Sequence, residues 1–332
     1  MIPQLCHAPG PVPELRRSDP QHVLAGLEGR KLLIVSGKGG VGRTTVAALL
    51  GSALAASGRK VLVATTGHDD RLAWMLGGER LDDTPTEVAP NLEIQRLVPA
   101  TCVEEYGTLV THSQRLSHMV FGNKGIRRLL RAIPGLDDFA ILGKVWHEAV
   151  RGGSYDTIVF DGPASGHLRL VLGVPQAILT TVSEGPLANE ASAMRESLQD
   201  PSVSTPVLVG LPEPWPLTEL GELSTALRRE IGMGAGILVV NKLWPVLPEL
   251  GALARAAPED VATMLRAVDD FGGRGREQRQ VVSAWLEERG QARLGEELVT
   301  VPMWPWGLEG PDQVRALLRA IQAGGDAADA RL

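Results

Sequence analysis

Residues 36–45 read Ser-Gly-Lys-Gly-Gly-Val-Gly-Arg-Thr-Thr and follow directly on the apolar run Leu32–Val35. The chemistry suited to that spacing is phosphate binding. Gly37, Gly39, Gly40 and Gly42, with Val41 between the last two, let successive backbone N–H groups point into one concave nest at the start of a helix, where negative charge is favoured. Strand, glycine-rich turn and helix in this order give a P-loop, written here G-x-x-x-x-G-[R]-T, and a nucleotide is the expected ligand. Thr44 is placed to offer its hydroxyl to Mg2+, and Thr45 to reach an inner phosphate. Lys38 lies inside the loop and reads either as a solvated lysine or as a phosphate ligand for a second subunit. Arg43 stands where such a loop carries lysine. It keeps the charge and can fork to two oxygens, but it is longer and planar and cannot fill the same space. A misplacement of ~1 Å can cost about 10²-fold in phosphoryl transfer, so weak hydrolysis is the expectation, with nucleotide docking preserved.

A second chemical signal is Asp161, at the end of the apolar run Ile158-Val159-Phe160. A carboxylate there suits a Mg2+ bound with nucleotide phosphates. The following residues, Gly162-Pro163-Ala164-Ser165-Gly166-His167, read as a loop able to change shape with the γ-phosphate, and an apolar helix comes next.

Short β-branched runs alternate with longer amphipathic segments, which predicts an α/β fold with a mostly parallel sheet flanked by helices. Strands are expected at 31–36, 60–65, 92–97, 156–161, 206–211, 237–241 and 298–301, and the first helix at 44–57, closed by Gly58. About fifty residues of helical pattern between Val103 and Gly152 are too many for a simple crossover and predict an inserted helical lobe. Further helices are expected at 190–198, 248–293 and 312–323. The last carries Val314, Leu317, Leu318 and Ile321 on one face, with only Arg315 and Arg319 as cations, so core packing is favoured over membrane docking. Residues 1–27 read as a loose leader, 28–322 as the P-loop domain and 324–332 as a frayed tail.

Composition agrees. An apolar fraction of 44% and a charged fraction of 22% over 332 residues describe a globular chain with a large core. A net charge of −6 argues against nucleic acid as a partner. No apolar stretch approaches the ~18 residues of a membrane span, and the two cysteines, Cys6 and Cys102, suit a cytoplasmic protein without disulfides.

The loop Gly-Lys-Gly-Gly-Val-Gly-x-Thr-Thr resembles the deviant P-loop of dimeric ATPases. Asp161 followed by Ser165-Gly166-His167 narrows the resemblance to the arsenite-pump and tail-anchored-protein targeting ATPases. Pro99, Glu104-Glu105-Tyr106, Pro134-Gly135-Leu136, Gly143-Lys144-Val145, Leu211-Pro212-Glu213, Val239-Val240-Asn241-Lys242 and Val301-Pro302 follow the family in order over about residues 28–322. The resemblance implies ATP and Mg2+ as cofactors and Lys38 acting across a dimer, with itself or with a paralogue. It further implies adenine contact at Asn241, which read from the residues alone is also a strand-end capping asparagine, with Lys242 beside it, a switch role for His167, and a protein client. The family's first switch, however, carries an Asp-Pro that is missing here. The chain reads Thr65-Thr66-Gly67-His68-Asp69-Asp70, and Asp69 and Asp70 are either its substitutes or solvated acids. The family's metalloid-binding cysteines and zinc clasp have no counterpart, and Met119 stands alone in the lobe. Arg127, Arg128 and Arg131 read as a solvated face or as a site for an acidic partner. Two functions follow: a nucleotide-driven ATPase switch with slow or partner-dependent turnover, or a non-catalytic nucleotide-binding subunit paired with an intact paralogue.

Overall fold

Each of the seven expected strand segments forms a strand, and together with one further strand they make a single sheet in the order β3-β4-β2-β5-β1-β6-β7-β8. In this computed structural model, residues 15, 17–111, 136–181, 183–247, 249–290 and 295–323 are described. The strands are β1 (Leu32–Gly37), β2 (Val61–Thr65), β3 (Thr86–Ala89), β4 (Leu92–Arg96), β5 (Thr157–Ala164), β6 (Ser204–Gly210), β7 (Ile237–Leu243) and β8 (Glu297–Pro302). All neighbours pair in parallel except β3, which runs antiparallel to β4 at the sheet edge. Period-2 reading does not find β3 because Thr-Glu-Val-Ala is short and only half-buried.

Helices cover both faces, as the uniformly apolar strands require. In chain order the first are α1 (Pro20–Gly26), α2 (Arg43–Ala56), α3 (Arg71–Leu76), α4 (Pro99–Thr111), α5 (Leu136–His147) and α6 (Ser165–Thr181). They are followed by α7 (Pro186–Gln199), α8 (Pro214–Ala226), α9 (Gly251–Ala256), α10 (Glu259–Arg289) and α11 (Pro311–Gln322). Alternation along β1 sends Leu32 and Ile34 into one core, with Phe160, Trp146 and Leu168. Leu33 and Val35 go into the other, with Val46, Leu54 and Met75. Val314, Leu317 and Ile321 of α11 are buried in that second core, so the apolar face of the last helix is a packing face.

Four expectations are corrected. The leader is not loose up to residue 27, because α1 occupies Pro20–Gly26 and buries Val23, Leu27 is buried behind it, and the Ser18 N–H donates to the Leu298 carbonyl at 2.8 Å. Gly162–Ala164 is strand rather than loop: β5 continues through Ala164, which pairs with Gly37, and α6 begins at once. The stretch 248–293 is two helices, since Pro258, the N-cap of α10, cannot continue α9. Helix α4 starts at Pro99, earlier than the lobe boundary read from sequence. Helices α4 and α5 pack on each other at the two ends of that lobe. Met119, Arg127, Arg128 and Arg131, and the tail from Gly324, lie outside the described residues.

Candidate nucleotide site

Strand β1 stops at Gly37 and α2 starts at Arg43, so residues 38–42 turn at the carboxyl edge of the sheet, where α/β proteins bind ligands. The four glycines of the turn differ in what requires them. Gly37 and Gly42 are forced by space. A Cβ on Gly37 would lie 2.1 Å from the Val209 carbonyl oxygen of β6. Gly42 has φ 95° and a Cβ there would lie 2.2 Å from Asn241 Nδ2. Gly40 is exposed with open space around it, and its requirement is the left-handed backbone alone, at φ 82°. Gly39 has neither constraint, so its place in the expected phosphate nest rests on its N–H and not on a missing side chain. Gly42 is the N-cap of α2, and no side chain caps that helix, so its first-turn N–H groups are left for another acceptor.

Side chains from this loop then hold three consecutive residues of β5. Thr44 Oγ1 donates to Asp161 Oδ2 at 2.8 Å, Arg43 Nη1 to the Gly162 carbonyl at 2.5 Å, and Ser36 Oγ to the Pro163 carbonyl at 2.8 Å. Thr65, level with Asp161 on β2, donates to the same Oδ2 at 3.0 Å, and its own Oγ1 accepts the Gly67 N–H. Asp161 is only 5% exposed. Burial pushes its carboxyl above the ordinary carboxylate range, the Thr44 and Thr65 hydroxyls and then the Arg43 charge pull it back, and Asp69 pushes it further up. A buried carboxylate beside a threonine hydroxyl is a hard oxygen set that fits Mg2+, which needs only one or two protein ligands when phosphates supply the rest.

The other expected site residues divide. Lys38, with a 59% exposed side chain, is ion-paired with Glu219 of α8, whose second oxygen is buried without a partner among the described residues. Asn241 is 3% exposed; it donates to the Val41 carbonyl at 2.8 Å and accepts the Lys242 N–H at 2.9 Å. As placed, its amide braces the loop. Lys242 is exposed with φ 60°, at a register shift between β7 and β8 that turns Asn241 toward the loop. His167, in the first turn of α6, has Nε2 at 3.0 Å from Asp138 Oδ1 of α5, which links the second-switch segment to the helical lobe. Asp69 and Asp70 separate clearly. Asp70 Oδ1 accepts the Leu81 N–H and pairs with Arg96 at 2.8 Å, a structural post. Asp69 is exposed and its charge acts on Asp161. Cys102 is buried, and burial holds its thiol up at about 11.

Sequence reasoning did not single out Ser36, Thr65 or Glu219. Thr65 was findable from strand alignment, as the last polar residue of β2 beside the end of β5. Glu219, 181 residues from Lys38, leaves no local signal. Among the described residues no helix is long and apolar enough to cross a membrane.

Fold and site together define a P-loop nucleotide-binding protein. Residues 30–184 match the family model of the anion-transporting ATPases. It is 28% identical over 246 residues to the ATPase BagA of Mycobacterium tuberculosis, spanning 71% of this chain and 72% of the relative. Similarity to the ATPase ASNA1 homolog of Cryptosporidium parvum is 25% over 282 residues, 74% and 75% of the two chains. The arsenical pump-driving ATPase of Escherichia coli is 27% identical over 215 residues, 64% of this chain and 35% of that longer protein.

Proposed function

We propose that this chain is a dimeric switch that binds MgATP at residues 37–45 and couples slow hydrolysis to movement of its helical lobe. The observation that carries this reading is the Thr44–Asp161–Thr65 cluster, a desolvated carboxylate held by two hydroxyls at the mouth of the loop. Thr44 and Asp161 would hold the Mg2+, which neutralises phosphate charge when bound. The loop amides and the open first turn of α2, with Thr45, orient the phosphates. Asp69 is the acid we assign to positioning water, because Asp70 is committed to Arg96 and Leu81. Lys38 acts on the partner subunit's nucleotide after leaving Glu219, and the His167–Asp138 contact carries the change into α5. A protein client or partner reads the lobe, in the cytoplasm.

A second reading, a non-catalytic subunit paired with an intact paralogue, is favoured by one observation: Arg43 is already engaged with Gly162. Phosphate release from MgATP by the purified chain, with Thr44→Ala as the control, decides between them. Turnover that falls by about 10²-fold or more in the variant supports the switch ATPase; equal background in both supports the silent subunit.

A further inference from the structure

We infer that Arg43 is a phosphate-released tie: with no phosphate bound its guanidinium holds the second-switch segment through the Gly162 carbonyl, and a nucleotide phosphate frees that segment by capturing the guanidinium. The inference rests on the P-loop reading above for its second half, and on geometry alone for its first.

The geometry is specific to this position. Arg43 opens α2, yet its Nη1 reaches across to β5 and donates to the Gly162 carbonyl at 2.5 Å. The sheet itself holds Gly162 poorly. Pairing between β1 and β5 runs regularly from Leu32↔Ile158 to Val35↔Asp161, then jumps to Gly37↔Ala164. Gly162 and Pro163 thus stand together opposite Ser36 alone, the two-against-one count of a bulge, where ladder hydrogen bonds are interrupted. Proline also brings no N–H of its own. Two side-chain donors reach the pair, Ser36 on the Pro163 carbonyl and Arg43 on the Gly162 carbonyl. A Cβ on Gly162 would press on the Val35 carbonyl oxygen at 3.1 Å, so the segment has little room for a side chain there.

One acceptor in this tie is neutral and its rival is charged. The Gly162 carbonyl offers a single dipole, whereas a phosphate offers anionic oxygens in the fork geometry that a guanidinium prefers, and hydrogen bonds between ionised partners are shorter and stronger. The loop amides that would seat a phosphate belong to the same turn as Arg43, so the competitor arrives beside the donor. Releasing Gly162 frees the entry to α6, whose first turn carries His167 against Asp138 of the lobe. A lysine at 43 would have a shorter, unforked head and would lack the second nitrogen with which arginine can span two acceptors. The change from lysine to arginine therefore gives the loop a grip on its own switch, besides any effect on the chemical step.

Hydrogen–deuterium exchange of peptides covering residues 161–168 tests this in the full chain. The variants are Arg43→Lys and Arg43→Ala, each measured alone, with ADP and with a non-hydrolysable ATP analogue; circular dichroism confirms folding, and the charge-preserving lysine variant stands if the alanine variant does not fold. In the wild type the segment exchanges slowly alone, and about ten- to a hundredfold faster with nucleotide, the range spanned by losing one charge-assisted hydrogen bond. Both variants exchange fast without nucleotide and gain little more when it is added. Acceleration by ADP assigns the capture to the inner phosphates; acceleration by the analogue alone assigns it to the terminal one. Wild-type protection persisting in the phosphate-free lysine variant overturns the tie. Unchanged or slower exchange in the nucleotide-bound wild type overturns the release. Nucleotide binding is followed separately with a fluorescent ATP analogue: if none binds, the P-loop reading and the release fall together, while the phosphate-free comparison still decides the tie.

Discussion

Replacing Asn241 by alanine separates two roles that a buried amide at the edge of a nucleotide site could have. In the structure the amide joins β7 to the phosphate-binding loop, donating to the Val41 carbonyl and accepting from the Lys242 N–H. Removing it leaves a buried carbonyl unsatisfied, about 1–3 kcal/mol, and frees an N–H that supports the left-handed backbone of Lys242, about 1 kcal/mol more. Asn241→Ala should therefore lower unfolding stability by ~2–4 kcal/mol, read from urea denaturation. Because the loop itself loosens, binding should weaken by about tenfold for every ligand that sits in it. Titration calorimetry with ATP, GTP and inorganic tripolyphosphate makes the comparison, since the last has no base. Equal losses for all three are expected. A loss confined to ATP, with tripolyphosphate binding and stability unchanged, would refute the brace and assign the amide to the adenine edge.

Gly42→Ala should cost about 2–4 kcal/mol and abolish measurable nucleotide binding, because the new Cβ meets Asn241 at 2.2 Å in a left-handed backbone. Gly40→Ala, left-handed but with open space, should cost only the backbone term, about 1–2 kcal/mol. Gly39→Ala, whose Cβ would meet no other described residue within 4 Å beyond its chain neighbours, should stay within about 0.5 kcal/mol of wild-type stability, and thermal melts of the three variants check the ranking. Alkaline pH should destabilise the fold. Burial raises Cys102 from 9.0 to about 11, and burial with the Glu93 hydrogen bond raises Tyr155 as well. Both groups lose their protons more readily when unfolded, so stability falls as pH rises from about 9, by ~2 kcal/mol for Cys102 near pH 11. Denaturation at pH 8 and 10.5 measures the slope, and Cys102→Ala should flatten it.

The parts of this molecule that were legible in its sequence are those fixed by neighbours in the chain. Continuous, β-branched apolar runs such as Leu32–Val35 and Ile158–Phe160 fit strands covered on both faces, and each is one. The glycine spacing of residues 37–42 announces its own turn. Contacts set by the assembled sheet were less visible. That Gly162–Ala164 continues a strand depends on Gly37 lying alongside, and that Asp70 is a structural post depends on Arg96, one strand away. Glu219 meets Lys38 only because α8 follows β6, the strand beside β1. No periodicity encodes such meetings, and polar loop residues such as Asp69 and Asp70 look alike until their surroundings are known.

The position of β1 has a consequence for biogenesis. Its loop is made early, by residue 45, yet the strands on either side of it are completed only at residues 164 and 210, and the amide that steadies Val41 comes 200 residues after it. At about 5–20 residues per second, a ribosome needs roughly 10–40 s to synthesise that interval. Until residue 164 the glycine-rich segment has no neighbouring strand to lean on, and until residue 241 the Val41 carbonyl lacks the Asn241 amide. Capture of nucleotide by the growing chain would then mark the point at which β1, β5, β6 and β7 have all assembled.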